Sequence, residues 1–314
     1  MNTFIRATEV WVLSADRLLL EFAGGLFGSA KHFAAISRQM CFGRGEGLPG
    51  QAWEEGRPIL LKQFEGSNFR RTTAAKAAGL ACAVAIPIFV GDALTAVLVF
   101  FCAAEAADLG AIELWRNNPR VTTDMTLVDG RYGERAQALE ALSRETFLPR
   151  GTGLPGMAWQ RGSAVFIEDL GSSSRFLRGE TAVDAGVHRG LAIPCPTRAN
   201  ENHVLTLLAA AKTPIALRIE SWAPDATDRQ LQRVFGFCEV EGKLQTAPEA
   251  VALASTEPGC VARAFASGVP ALADIAAAEP GSVGASAGVC GANSLVAVPI
   301  VSEGTSAETL VLYF

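Results

Sequence analysis

Two glycine-rich segments carry a spacing that binds phosphates in many enzymes. Residues 45–50 read GEGLPG and residues 151–156 read GTGLPG, so Gly45 and Gly151 each begin a G-x-G-x-x-G pattern. In a dinucleotide-binding fold this pattern turns from a strand into a long helix whose N-terminus faces the pyrophosphate. The first question is therefore whether this chain binds a nucleotide.

The residues that follow argue against a nucleotide site. Gly56 and Gly162 stand where a C-terminal glycine would end the helix, so the helix is short. The connection to the next strand is then shorter than a parallel βαβ crossover needs. Pro49 and Pro155 also remove a backbone donor that an anion would use. We interpret both segments as the start of a short helix, where the glycines permit positive φ.

Composition excludes several other kinds of chemistry. The only histidines are His32, His188 and His203, and the seven cysteines stand singly without a C-x-x-C motif. This pattern predicts reduced thiols and no metal site. The formal net charge is −5 and Lys/Arg-rich runs are absent, which argues against nucleic-acid binding.

One apolar stretch, residues 77–107, invites comparison with a membrane span. Pro87 and the pair Gly91-Asp92 divide it into two pieces of strand length, each shorter than the roughly 20 residues of a spanning helix. We expect a buried hairpin there. With no signal peptide apparent, the sequence predicts a cytoplasmic protein that does not bind membranes.

The glycine segment belongs to a repeat of domain size. Gly47, Gly153 and Gly259 are separated by roughly 105 residues, an interval much longer than that of solenoid repeats. Tryptophans in the triplets EVW, ELW and ESW keep a similar interval, at Trp11, Trp115 and Trp222. The period predicts three tandem domains, at residues 1–107, 108–216 and 217–314.

Each unit has the same expected order of elements. Two strands and a loop precede the glycine segment, and then come a short helix, a strand, a helix of small residues and a closing hairpin. Strands and hairpins dominate, and the helices are few and short. The expected fold class is therefore α+β, with an antiparallel sheet in each domain.

The segments GEGLPGQAWEEGRPILL and AVAIPIFVGDALTAVLVFF together resemble the GAF domain of bacterial signalling proteins. The second repeat is similar in the same way, whereas the third is degenerate, with Cys260-Val261 in place of Leu-Pro. The resemblance implies a six-stranded antiparallel sheet with a ligand pocket between the sheet and the helix-and-loop side. It also implies small-molecule sensing or regulation.

The chain departs from signalling GAF proteins in its connections. Long amphipathic helices between the repeats and an output domain are not apparent in the sequence. We therefore expect a non-catalytic sensing or regulatory protein that acts in trans on a partner with an output domain. The alternative is a pocketless protein–protein interaction module. Ligand, cofactor and oligomeric state are left unassigned.

The resemblance places Phe69 with Arg71, and Phe176 with Arg178, where GAF pockets are commonly lined. A stacking aromatic ring and an anion-pairing guanidinium would suit a ligand there. The alternative is a loop anchor beside a solvated arginine.

Further candidate contacts are Trp53, Trp159 and His188. The tryptophans would form either a pocket wall or a core anchor between helix and sheet. His188 would either meet a ligand or lie at the surface or in a hairpin.

A catalytic alternative comes from the GAF branch that reduces free methionine sulfoxide through paired cysteines. The third repeat is similar in outline, with Cys260 at the start of the helix and Cys290 before the closing strands. That chemistry needs the two sulfurs within disulfide reach. The acidic and histidine residues of that branch are absent, so we expect no enzymatic activity.

Overall fold

The computed structural model describes residues 3–104, 109–197, 201–244, 250–253, 258–275 and 290–314. The chain divides into two compact units, at residues 2–215 and 216–314. The first unit contains two antiparallel sheets and the second contains one. The predicted α+β class, with three antiparallel sheets and short helices, is confirmed. The exact domain boundaries stay a prediction.

The first sheet has the order β3-β2-β1-β6-β5-β4, so the first and last strands of the domain pair at its centre. Largely apolar residues build the central strands, and the Gly91-Asp92 turn joins the last two strands as predicted. The strands are β1 (Ile5–Leu13), β2 (Leu19–Leu26), β3 (Cys41–Gly43), β4 (Ile59–Leu61), β5 (Leu80–Val90) and β6 (Ala93–Ala103).

The other two sheets repeat this order. The second sheet runs β9-β8-β7-β12-β11-β10 and the third runs β15-β14-β13-β19-β18-β17, with β16 paired to β14. The second sheet consists of β7 (Ala111–Asn117), β8 (Met125–Tyr132), β9 (Phe147–Leu148), β10 (Val165–Ile167), β11 (Arg189–Pro196) and β12 (Asn202–Ala209). The third consists of β13 (Arg218–Pro224), β14 (Gln230–Cys238), β15 (Gly242–Lys243), β16 (Ala250–Ala252), β17 (Ala271–Asp274), β18 (Ser294–Ser302) and β19 (Thr305–Tyr313).

The helices pack on one face of each sheet. They are α1 (Lys31–Ser37), α2 (Gly47–Glu55), α3 (Thr72–Ala77), α4 (Gln137–Glu145, after a 3-10 turn), α5 (Gly153–Arg161), α6 (Gly179–Asp184) and α7 (Cys260–Ser267). Helices α1 and α4 occupy the stretch that we expected to be a loop, and that expectation is wrong. Each of them buries a serine against the sheet, at Ser37 and Ser143, so tertiary packing stabilises a helix too short to persist alone.

The glycine segments begin helices, as the sequence predicts. Helix α2 starts at Gly47 with a φ of 58°, and it ends at Gly56, a left-handed residue with a φ of 63°. Gly50 allows the closest approach in this turn, because a Cβ added there would lie 2.1 Å from the carbonyl oxygen of Gly43. Helix α5 repeats this arrangement at its start.

In the unit at residues 2–215, both faces of each sheet are buried. One face of the first sheet packs on its own helices through residues such as Val97 and Phe101. The other face is also apolar and buried, at Leu98 and Phe100, and its strand β5 contacts β11 of the second sheet. Among the described residues, no helix has the length and apolar character to cross a membrane.

Replacing Gly50 with alanine should destabilise the first domain by about 1–3 kcal/mol, because the new methyl group meets backbone rather than a movable side chain. Urea unfolding followed by tryptophan fluorescence would measure this change. Gly43→Ala is the matched control, since a Cβ at Gly43 meets nothing closer than 3.5 Å. Equal stability of the two variants would contradict the close-approach argument.

Candidate functional site

Arg71 lies inside the first domain, between the sheet and the helices. The residue is only 4% exposed and directly precedes α3. Its guanidinium carbon lies 4.6 Å from the ring centroid of Phe33, 5.1 Å from that of Phe69 and 5.5 Å from that of Phe101. Aromatic faces stabilise a guanidinium that has lost its water. The alternative of a solvated arginine is therefore wrong at this position.

A carboxylate of the same chain neutralises Arg71. Glu9, on the central strand β1, is fully buried and accepts hydrogen bonds from both terminal nitrogens of the guanidinium, one of them at 3.0 Å. The indole N–H of Trp11 donates to the second carboxylate oxygen at 3.1 Å. The result is a bidentate, charge-assisted pair, which is the strongest geometry between these two groups.

Helix α1 completes this cluster. The guanidinium of Arg71 donates to the hydroxyl oxygen of Ser37, and that hydroxyl donates to the carbonyl oxygen of Phe33 at 2.8 Å. Strand, helix and loop are thereby joined through one set of buried hydrogen bonds. Such a network stabilises the fold only when its polar members are satisfied.

The second domain repeats the cluster. Arg178, 3% exposed, forms a bidentate pair with Glu113 of β7, with one bond of 3.0 Å. The indole N–H of Trp115 donates to Glu113 at 2.8 Å, and Ser143 of α4 accepts from Arg178. A further donor, the Tyr132 hydroxyl, reaches Glu113 at 2.8 Å.

The environment of Glu113 keeps its carboxyl charged. Burial alone would raise its pKa, but the Arg178 guanidinium and the hydrogen bonds from Arg178, Trp115 and Tyr132 outweigh that effect. The pKa of Glu113 therefore lies below its ordinary value. Burial and the adjacent Glu113 charge raise the pKa of Tyr132, so the phenol remains a donor.

In the third domain, the carboxylate is retained but strands supply its guanidinium partners. Glu220 of β13 is fully buried and accepts from Arg218 at 2.9 Å and from Arg233 of β14 at 2.9 Å. The indole of Trp222 and the hydroxyl of Tyr313 donate to its other oxygen, at 3.1 and 2.7 Å. A glutamate two residues before a buried tryptophan thus lies at the centre of each domain.

The remaining candidate residues lie apart from these clusters. Trp53 and Trp159 are partly buried on α2 and α5, where they pack against the domain cores. His188 is half-buried next to β11, and its backbone N–H donates to the carbonyl of Ala209 at 2.9 Å. The structure brings Phe69 to Arg71 and Phe176 to Arg178, at ring distances of 5.1 and 4.8 Å. Ligand binding by these residues stays a prediction.

A cleft of about 300 Å³ lies beside Phe69 in the first domain. The start of α2 forms one side, and the loop before α3 forms the other. Phe69 lines this cleft while its ring also packs on Arg71, so the ring lies between the cleft and the buried ion pair. The lining residues are Gly47, Leu48, Gln51, Leu61, Gly66, Ser67, Asn68 and Phe69.

The glycine segment uses its own backbone donors. The N–H of Gly45 donates to the carbonyl of Gly50 at 2.8 Å, and the N–H of Gly50 donates to that of Glu46 at 3.0 Å. The Glu46 side chain accepts from the N–H of Gly43 and pairs with Arg70 at 2.6 Å. A phosphate would have to displace these bonds beside a carboxylate, which agrees with the structural interpretation of this loop.

The cysteines of the third domain are thiols rather than disulfides. Burial raises the pKa of Cys290, and the thiol with which it interacts is that of Cys238. Cys260 is buried at the start of α7. Within the described part of the chain, no group of three or more metal-ligating side chains comes together. The catalytic alternative, in which Cys260 would pair with Cys290, stays a hypothesis that we do not favour.

The predictions from sequence missed the central carboxylates, although a repeated signal marks them. Glu9 and Trp11 are two residues apart on a strand, so both point to the same face. A glutamate on the face of a buried tryptophan must find a cationic partner inside the fold. The triplets EVW, ELW and ESW repeat this signal, whereas nothing local marks Ser37 and Ser143.

No protein-family model matches the chain, and the curated proteins contain no match to it. Solved structures similar to this chain include the nlh2 GAF domain of A. aeolicus in an inactive state (18% identity, TM-score 0.26). They also include the GAF domain/HD domain protein of Geobacter sulfurreducens (16%, 0.28) and the free methionine-R-sulfoxide reductase of Neisseria meningitidis in complex with its substrate (16%, 0.24). Each match covers 32% of this chain. It covers 58% of the A. aeolicus chain, 65% of the Geobacter chain and 51% of the Neisseria chain. GAF domains, the family that the sequence resembles, thus recur among these structures.

Removing the central carboxylate should strongly destabilise its domain. Glu113→Ala leaves a buried guanidinium without its anion, at a cost of about 3–5 kcal/mol, and added formate should restore part of this loss. Urea unfolding with and without formate measures both effects. Glu140→Ala, in a solvent-exposed pair with Arg144, is the control and should cost less than about 1 kcal/mol. A small loss in Glu113→Ala would mean that the pair is not an essential constraint.

The lowered pKa of Glu113 predicts acid sensitivity. The unfolded chain takes up a proton at the ordinary glutamate pKa, whereas folded Glu113 does so only at lower pH. Its contribution to stability is therefore present above the ordinary value and is lost as the pH falls through the folded value. The difference in unfolding free energy between wild type and Glu113→Gln should shrink as the pH falls from 7 toward about 3. A constant difference would contradict this assignment.

Proposed function

We propose that this chain is a non-catalytic regulatory protein of GAF type that acts in trans on a partner protein bearing an output domain. The observation that carries the proposal is the internal neutralisation of Arg71 and Arg178 by Glu9 and Glu113. These arginines lie between sheet and helices, where the family resemblance implies a ligand pocket. The pocketless interaction module is thus favoured over a sensor with a deep anion site.

An anionic ligand would compete poorly with these carboxylates. Glu9 and Glu113 are held on a central strand, and each also accepts from a tryptophan and from two nitrogens of one guanidinium. A tethered group binds without the loss of translational and rotational freedom that a free ligand undergoes. A ligand that displaced the glutamate carboxylate from its arginine would also leave the charge of that carboxylate buried without a partner.

The thiols also support a role without catalysis. A reductase needs a thiolate nucleophile, and burial raises the pKa of Cys290 instead of lowering it. Cys238 is a second thiol that interacts with Cys290, and the charge of Arg218, which acts in the opposite direction, does not outweigh the effect of burial. These features favour structural cysteines in the third domain.

A second candidate function is the binding of a small polar molecule in the cleft beside Phe69. Its volume of about 300 Å³ lies at the lower end of the usual range for ligand pockets. Gln51 and Asn68 offer side-chain amides, and Leu48, Leu61 and Phe69 offer apolar surface. Under this hypothesis the first domain is the sensor.

A thermal-shift screen with a metabolite library separates these functions. If the proposed function is right, no anionic metabolite should stabilise the wild type through binding to Arg178. The matched variant is Glu113→Gln with Arg178→Gln, which removes both charges together and avoids an isolated buried ion. Stabilisation of the wild type by an anionic metabolite that disappears in this variant would overturn the closed-pocket proposal. Stabilisation that disappears only in Asn68→Ala or Gln51→Ala would favour the cleft.

A further inference from the structure

His203 is a buried histidine outside the clusters described above. It lies near the start of β12, the strand between β11 and β7, and it is 3% exposed. Its register partners are Cys195 on β11 and Arg116 on β7. Directly opposed residues of antiparallel strands point to the same face. The three side chains therefore form a row on the face of the second sheet that is turned away from α4–α6.

Both ring nitrogens of His203 lack a hydrogen-bond partner among the described residues. An imidazole within a hydrophobic core normally satisfies at least one of them, since an unmade buried hydrogen bond costs about 1–3 kcal/mol. A bound water, ion or small molecule can supply the missing partners of such a buried polar group. The neighbouring thiol of Cys195 bonds instead to the carbonyl of Ile193, at 3.4 Å.

Two guanidinium groups act on this ring. Burial and then the charges of Arg57 and Arg116 lower the pKa of His203 to about 4. Arg57 comes from the segment after α2 of the first domain, and the two domains belong to the same compact unit. The imidazole is thus neutral at pH 7, with one N–H donor and one acceptor nitrogen.

The acidic partners leave both guanidiniums able to bind a further anion. Arg116 pairs with Glu201 at the long distance of 3.8 Å, and Glu201 is itself held by the side-chain amide of Asn118. Arg57 pairs with Glu55 near the surface, where both side chains are exposed. Exposed pairs of this kind contribute little, and a guanidinium has more donors than one carboxylate uses.

We propose that His203, Arg57 and Arg116 form a binding site for a phosphate-type oxyanion between the first and second domains. A protonated phosphate offers acceptor oxygens to the guanidiniums and to the imidazole N–H, and its hydroxyl can donate to the other ring nitrogen. A metal cation is disfavoured, because two guanidinium charges oppose it. This site goes beyond the proposed function and does not use the central ion pairs.

Inorganic phosphate is the probe, and sodium chloride of equal ionic strength is the reference. NMR of the histidine imidazoles in the full-length chain should show a saturable shift of the His203 signals with phosphate alone. The bound anion should also raise the pKa of His203 toward its ordinary value. Thermal unfolding should show a matching saturable rise in the midpoint.

The variant Arg116→Gln should weaken phosphate binding by about tenfold or more, because it removes a charge-assisted bond. Arg57→Gln should act in the same direction and is tolerated by the fold, since its side chain is exposed. Arg120→Gln, an exposed arginine on the turn after β7, is the matched control and should bind as the wild type does.

A response to phosphate no larger than that to chloride would overturn the proposal, as would saturable binding that persists in Arg57→Gln and in Arg116→Gln. Glycerol phosphate in a parallel titration identifies the source of the anion. Tighter binding of inorganic phosphate indicates a free ion, and tighter binding of the ester indicates a phosphorylated ligand. Either result supports the oxyanion site.

Discussion

The buried carboxylate on the central strand is the interaction on which each domain depends. Glu9 and Glu113 lie at the centre of their sheets, and each needs a cation because an isolated charge cannot remain inside a protein. Meeting that need draws the loop before the third helix of the domain onto the sheet and fixes the first helix through its serine. Secondary structure that local propensity would not stabilise is thus organised by one ion pair.

The third domain satisfies the same requirement by another route. Glu220 obtains its guanidiniums from Arg218 and Arg233, on strands within the sheet itself, while Trp222 occupies the same position relative to the glutamate. The tryptophan and carboxylate recur in all three domains, whereas the source of the positive charge changes. The constraint therefore belongs to the central strand, and the loops respond to it. This explains how the third repeat keeps its fold although its glycine segment is degenerate.

Local signals in the sequence were sufficient to predict the sheets, the closing hairpins and the short helices that begin at Gly47 and Gly153, because turn glycines and apolar alternation act over a few residues. Helices α1 and α4 were not predicted, since their stability comes from contacts with the sheet. The environment of Arg71 was also missed, because its partner Glu9 lies 62 residues away in the chain. An arginine in a polar loop looks solvated until its distant partner is known. In each repeat a tryptophan follows a glutamate by two residues, and this pattern marks Glu9 as the partner more clearly than any property of the loop.

The strand order has a consequence for synthesis of the chain. In the first sheet, β1 pairs with β6, so that Ile5 lies opposite Cys102. The ribosome must therefore release almost a whole domain before the centre of its sheet can form. Until then, β1 has been synthesised but its partner β6 has not. Pairing across such sequence separations is slow. Each domain closes at its own last strand, however, so the first can complete its sheet while the second is still being translated. The repeat interval thus also sets the intervals at which the nascent chain can bury its apolar strands.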